Sequence, residues 1–86
     1  EFVLGQNYPN PFNPSTSIRF ALKERAKVTL LVFNILGQSV ATLVDEELAA
    51  GWYESRFSPN NLVSGAYIYR LTANQFIETR KMLLLK

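Results

Sequence analysis

Gly65-Ala66-Tyr67-Ile68-Tyr69-Arg70-Leu71, a short turn at Ala73-Asn74 and the closing run Lys81-Met82-Leu83-Leu84-Leu85-Lys86 decide how this chain folds. The first segment is rich in aromatic and branched residues and bounded by glycine and a turn, so it reads as a strand. The second strand of the pair closes on the apolar run. Termini fray unless something ties them down. A run of this kind is therefore either buried in a sheet or shown to a partner. On both readings the last residues are the working end, and neither suggests an enzyme.

Working upstream, Leu62-Val63-Ser64-Gly65-Ala66-Tyr67 has the arrangement of a tyrosine corner. In sandwich domains such a tyrosine opens a late strand and bonds to backbone a few residues earlier. Tyr67 is the expected donor, with Gly65 permitting the tight approach. Trp52 to Ser58 alternates as a strand and Ser58-Pro59-Asn60-Asn61 breaks it.

Near the start, Ile18, Phe20 and Leu22 alternate with Arg19 and Ala21, and Lys23-Glu24-Arg25-Ala26 makes a charged turn. Lys27 to Asn34 places Val28, Leu30 and Val32 on one face and Leu31 and Phe33 on the other. A strand apolar on both faces is expected to lie centrally, covered on both sides or covered on one side by the residues before Ser17. Ile35-Leu36-Gly37-Gln38 predicts a turn with Gly37 at positive φ, and Ser39 to Val44 a further strand. Asp45-Glu46-Glu47-Leu48-Ala49-Ala50-Gly51 predicts one helical turn, capped by Asp45 and closed by Gly51.

About seven short strands with regular turns predict an all-β fold, an antiparallel immunoglobulin-like or fibronectin-III-like β-sandwich. Residues 1–16 read as a lead-in rich in proline and asparagine, and residues 17–86 as the sandwich. Asn10-Pro11 and Asn13-Pro14 are strong turn punctuation. Tyr8 and Phe12 are candidate anchors that would pack this lead-in onto the domain. The alternative is a spacer that links to it.

The 86 residues suit one domain with a single modest core. A hydrophobic fraction of 48% and an aromatic fraction of 13% exclude a disordered tail. The formal charge of +2 comes from scattered cations, with Arg19, Arg56 and Arg70 each standing alone. Nucleic acid binding needs several cations on one face with free aromatics, so no such partner is expected. Absence of cysteine removes disulfides, thiolate nucleophiles and cysteine metal sites. Absence of histidine removes the usual general base and the commonest transition-metal ligand. The three carboxylates at Asp45, Glu46 and Glu47 are explained by helix capping, so no metal, cofactor or catalytic residue is expected. No stretch approaches the roughly 20 apolar residues that cross a bilayer. Trp52 is the best candidate for an exposed ring, which keeps an accessory carbohydrate-binding module as an alternative.

The order of blocks closely resembles the C-terminal sorting domains of the type IX secretion system of Bacteroidetes-like bacteria. It is also similar to the immunoglobulin-like domain of the flagellar hook-capping scaffold. The resemblance starts at Leu4-Gly5-Gln6-Asn7-Tyr8-Pro9-Asn10-Pro11-Phe12-Asn13-Pro14-Ser15-Thr16 and Ile18-Arg19-Phe20. It continues through Val32-Phe33-Asn34-Ile35-Leu36-Gly37-Gln38 and Leu48-Ala49-Ala50-Gly51. It ends on Leu62 to Leu71 and Lys81 to Lys86. Ser58-Pro59 and Ala73-Asn74-Gln75 depart from the family pattern, both at loops.

The resemblance implies a non-catalytic domain of a larger passenger protein, recognised in the periplasm and taken through the outer membrane by the secretion machinery. In many members a sortase-like protease then removes the domain, and the passenger stays at the cell surface or is released. By the same resemblance Gly65, Tyr67, Lys81, Met82, Leu83, Leu84, Leu85 and Lys86 are the expected recognition residues. Asn10, Pro11, Phe12, Asn13, Pro14, Gly37 and Gly51 have structural roles. The domain is expected to be monomeric. A passive assembly module is the remaining alternative.

Overall fold

Period-two alternation is written into most of the chain, and the strands follow it. A computed structural model describes residues 1–86. The strands are β1 (Val3–Leu4), β2 (Thr16–Leu22), β3 (Ala26–Phe33), β4 (Ser39–Leu48), β5 (Gly51–Phe57), β6 (Gly65–Ala73) and β7 (Phe76–Leu84). They form two antiparallel sheets, β1-β2-β5 and β4-β3-β6-β7, stacked as an immunoglobulin-like sandwich. Ile18, Phe20 and Leu22 of β2 face Val28, Leu30 and Val32 of β3 and Tyr69 and Leu71 of β6 across one continuous core. Burying these side chains is the main term holding the layers together.

The chain direction sorts the loops into two ends. The turns at Lys23–Arg25, Ala49–Ala50 and Asn74–Gln75 share one end with Glu1. The proline-rich segment, the Asn34–Gln38 turn, the 58–64 loop and Lys86 share the other. At the first end Asn74, at φ +55°, donates from Nδ2 to Glu24 Oε2 at 3.1 Å, tying the last hairpin turn to the charged one. An asparagine tolerates this left-handed conformation where most residues do not, so the turn closes without glycine.

Two sequence expectations need correcting. Asp45 to Leu48 is not helical: it continues β4, with Leu48 opposite Ala26 and Glu47 opposite Lys27. One isolated helical turn gains little in water, whereas extension of β4 satisfies the far end of β3. Two of the three carboxylates then serve cross-strand ion pairs, Lys27–Asp45 at 3.0 Å and Arg25–Glu47 at 3.5 Å. Gly51 accordingly opens β5 opposite Leu22 and closes no helix. The outer face of β3 is also not covered by the lead-in. Leu31 and Phe33 are half-buried there, and the Arg70 guanidinium of the neighbouring strand lies 4.7 Å over the Phe33 ring.

Edges are handled differently on the two sides. On one side, β4 carries two register shifts, beside Leu31 and beside Phe33, and bulges of this kind discourage pairing with another chain. On the other, the residues before β2 run along the gap between the sheets. β1 pairs with β2, Tyr8 bridges Ser17, and Phe12 bridges Leu84 in parallel. The peptide bonds before Pro9, Pro11 and Pro14 are cis.

Candidate functional site

Alternation in the last strand divides the expected recognition residues into two sets. Met82 and Leu84 are fully buried, with Met82 paired to Tyr67 and Leu84 to Gly65. Leu83 at 41% and Leu85 at 52% exposure point outward, as do Lys81 and Lys86. In the folded domain two lysines and two leucines of this segment are accessible, while Met82 and Leu84 hold the strand down.

The backbone edge of this segment is occupied. Leu83 N donates to Asn10 Oδ1 at 2.9 Å, Leu83 O accepts from Phe12 N at 2.9 Å, and Leu85 N donates to Phe12 O at 3.0 Å. Gln6 Nε2 donates to Lys81 O at 2.9 Å. Phe12 drives this arrangement, since its ring is buried in the core 6.0 Å from Phe57. Asn13 and Pro14 stay exposed. Strand addition at the end of β7 thus requires displacing the proline-rich segment, and side chains are what a partner meets first.

Tyr67 forms the corner its position suggested: its hydroxyl donates to Val63 O at 2.7 Å while the ring is buried. Gly65 acts differently from the sequence expectation. A Cβ there would meet nothing within 4 Å, so crowding is not the reason for glycine. Its φ of +153° is the reason, because L side chains avoid that region. Gly37, at φ +82°, completes the turn in which Asn34 Oδ1 accepts from Leu36 N and Gln38 N. Tyr67→Phe is expected to lower stability by about 1–3 kcal/mol, since it strands a carbonyl beside a largely buried ring. A shift in the denaturant midpoint with unchanged slope is the check.

Sequence reading missed the most tightly held polar group. The Tyr69 hydroxyl, fully buried, donates to Gly5 O at 2.7 Å and accepts from Asn7 N at 2.8 Å. Asn7 is itself buried and donates from Nδ2 to Thr16 Oγ1 at 3.0 Å. Burial pushes the Tyr69 phenol above its ordinary value of 10.0, with the Asn7 amide and Arg80 opposing and Glu78 assisting. These partners lie more than sixty positions apart in the chain, so no local signal announced them. Trp52 is exposed on the outer face of the three-stranded sheet, and Tyr53 turns inward to stack on Phe20 at 5.4 Å. No group of three or more acidic, histidine or cysteine side chains is placed to hold a metal ion.

Residues 6–85 match the family model of the secretion system C-terminal sorting domain. The chain belongs to that family. No curated protein and no solved structure matches it. Membership makes the domain a sorting signal for type IX secretion, part of a larger passenger exported to the cell surface or secreted. The blocks that suggested the family in sequence run from Leu4 to Lys86, and the match covers all of that stretch but its outermost residues.

Proposed function

We propose that this sorting domain is read in its folded form, through the side chains that β7 and its extension present at the end of the sandwich. The observation that carries this is the alternation just described: Met82 and Leu84 locked in the core, Lys81, Leu83, Leu85 and Lys86 outward. Asn10 and Phe12 hold the backbone rigid from the other side. A preorganised surface loses little entropy on binding. The domain acts without catalysis, crosses the periplasm attached to its passenger, and is monomeric when free. A component of the outer-membrane machinery reads it, and a sortase-like protease cleaves it from the passenger at the surface. Kinship with the hook-capping domain is at the level of the sandwich.

The test is a reporter fused ahead of the domain in a type IX-competent cell, with surface and periplasmic fractions compared. Lys81→Ala with Lys86→Ala is expected to leave the denaturant midpoint unchanged, because exposed charges contribute little. Surface reporter is expected to fall roughly tenfold, which corresponds to about 1.4 kcal/mol of lost recognition. Adding Leu83→Ser and Leu85→Ser deepens the loss. Normal export of a folded quadruple variant would exclude this surface as the signal.

A further inference from the structure

A second surface lies at the same end of the sandwich but on different elements. The Asn34–Gln38 turn carries Ile35 at 75% and Leu36 at 78% exposure, and the 58–64 loop carries Val63 at 76%. Turn tips are ordinarily polar, so an apolar pair inside a turn held by four hydrogen bonds to Asn34 and one between Asn34 and Gln38 side chains is unusual. These three side chains line an open groove of about 470 Å³ whose floor includes Val40, Leu62 and Ala66. Val40 reaches it because a register shift beside Phe33 leaves it unpaired in the ladder. Contiguous exposed apolar surface on a small domain marks an interaction site.

Charge says what kind of partner fits. The loops at this end, residues 9–15, 34–38 and 58–64, contain no aspartate or glutamate. Nor do the strand ends that meet them, 16–18, 31–33, 39–42, 55–57, 65–68 and 81–84; Glu54, as deep in β5 as Lys81 is in β7, is paired with Arg19 at 3.5 Å. The same end holds Arg56, Lys81 and Lys86. Lys86 is fastened to the groove wall, its N–H donating to Ser64 Oγ at 2.9 Å. The sign holds even where a terminal carboxylate follows Lys86. By contrast, Asp45, Glu46 and Glu47 sit toward the opposite end, opposite Thr29, Val28 and Lys27. Glu1 lies there too, so a passenger joined ahead of it leaves the groove open.

We infer that this groove docks a short acidic segment of a partner protein, apolar side chains seated between Ile35, Leu36 and Val63 and flanking carboxylates facing the cations. Apolar burial supplies affinity and the field selects the sign of the flanks. The inference goes beyond the sorting assignment. It shares Lys81 and Lys86 with that reading but none of the outward leucines of β7. Its test turns on Leu36 and Val63 with no export readout, so the failure of one is distinguishable from the failure of the other.

The experiment selects a random dodecapeptide library on the whole 86-residue chain immobilised through Glu1. Recovered peptides are expected to combine apolar residues with neighbouring Asp or Glu and to shift the amide resonances of Ile35, Leu36 and Val63. Leu36→Ser with Val63→Ser, both exposed and so neutral for folding, is expected to weaken the best peptide roughly tenfold or more. Raised salt is expected to weaken it further. Failure to recover a peptide that needs Leu36 and Val63 overturns the proposal, as does recovery of lysine- or arginine-rich ones. A concentration-dependent dimer abolished by the double variant overturns it in favour of a second copy. Groove-dependent binding to phosphatidylglycerol vesicles with no peptide recovered overturns it in favour of a lipid surface.

Discussion

Phe12→Ala is expected to cost about 3–5 kcal/mol, the range for emptying a buried aromatic site. The ring is enclosed against Phe57, and the residue's own backbone makes two hydrogen bonds to the last strand. For a domain of this size such a loss is a large part of the total stability. The denaturant midpoint measures it. Amide exchange gives a sharper signature: Leu83 and Leu85, whose N–H groups donate to Asn10 and Phe12, should lose protection before Leu30 or Val32 at the centre. A loss below about 1 kcal/mol would show that the proline-rich segment is a tether and not part of the cooperative unit.

Tyr69→Phe is the second large effect, expected at about 2–3 kcal/mol because it leaves Gly5 O and Asn7 N without their buried partner. It also carries a pH signature. Burial raises the folded phenol above 10.0, so the unfolded chain loses this proton first as pH rises. The native state then holds the extra proton, and stability falls with pH. The contribution is fully present below pH 10.0 and is lost as pH climbs from there through the folded value. Subtracting the Tyr69→Phe profile from that of the parent chain isolates it from the lysines, which titrate in the same region. Parallel profiles above pH 10.0 would show that the hydroxyl is not held in its neutral form.

Both predictions rest on the segment before β2, the part of the chain hardest to read in sequence. Proline spacing announced turns at Asn10-Pro11 and Asn13-Pro14, and Phe12 was a candidate anchor. Nothing nearby indicated that Phe12 would bridge Leu84 or that Gly5 and Asn7 would grip Tyr69. The exposed groove was signalled faintly, by Ile35-Leu36 standing in a turn that Gly37 made easy to recognise. Asp45 to Gly51 misled because carboxylates before an alanine pair favour a helix start locally, while the strand partner they needed, Ala26 to Thr29, lay on the far side of a turn and half a strand.

Sequence alone was sufficient for whatever rests on near neighbours. Alternation gave the strands, because side chains two apart share a face. Gly37 and Tyr67 marked their turn and corner, because each bond closes within four residues. The ordered blocks from Leu4 to Lys86 pointed to the family that the match over residues 6–85 shows. Tertiary structure alone decided which sides of those strands meet. It buried Met82 and Leu84 and left Leu83 and Leu85 out, and it spent the free edge of β7 on Asn10 and Phe12. It also brought Ile35, Leu36 and Val63 to one groove. These outcomes depend on contacts between residues far apart in the chain, whose closure is favourable only once the whole core forms, so no local pattern encodes them.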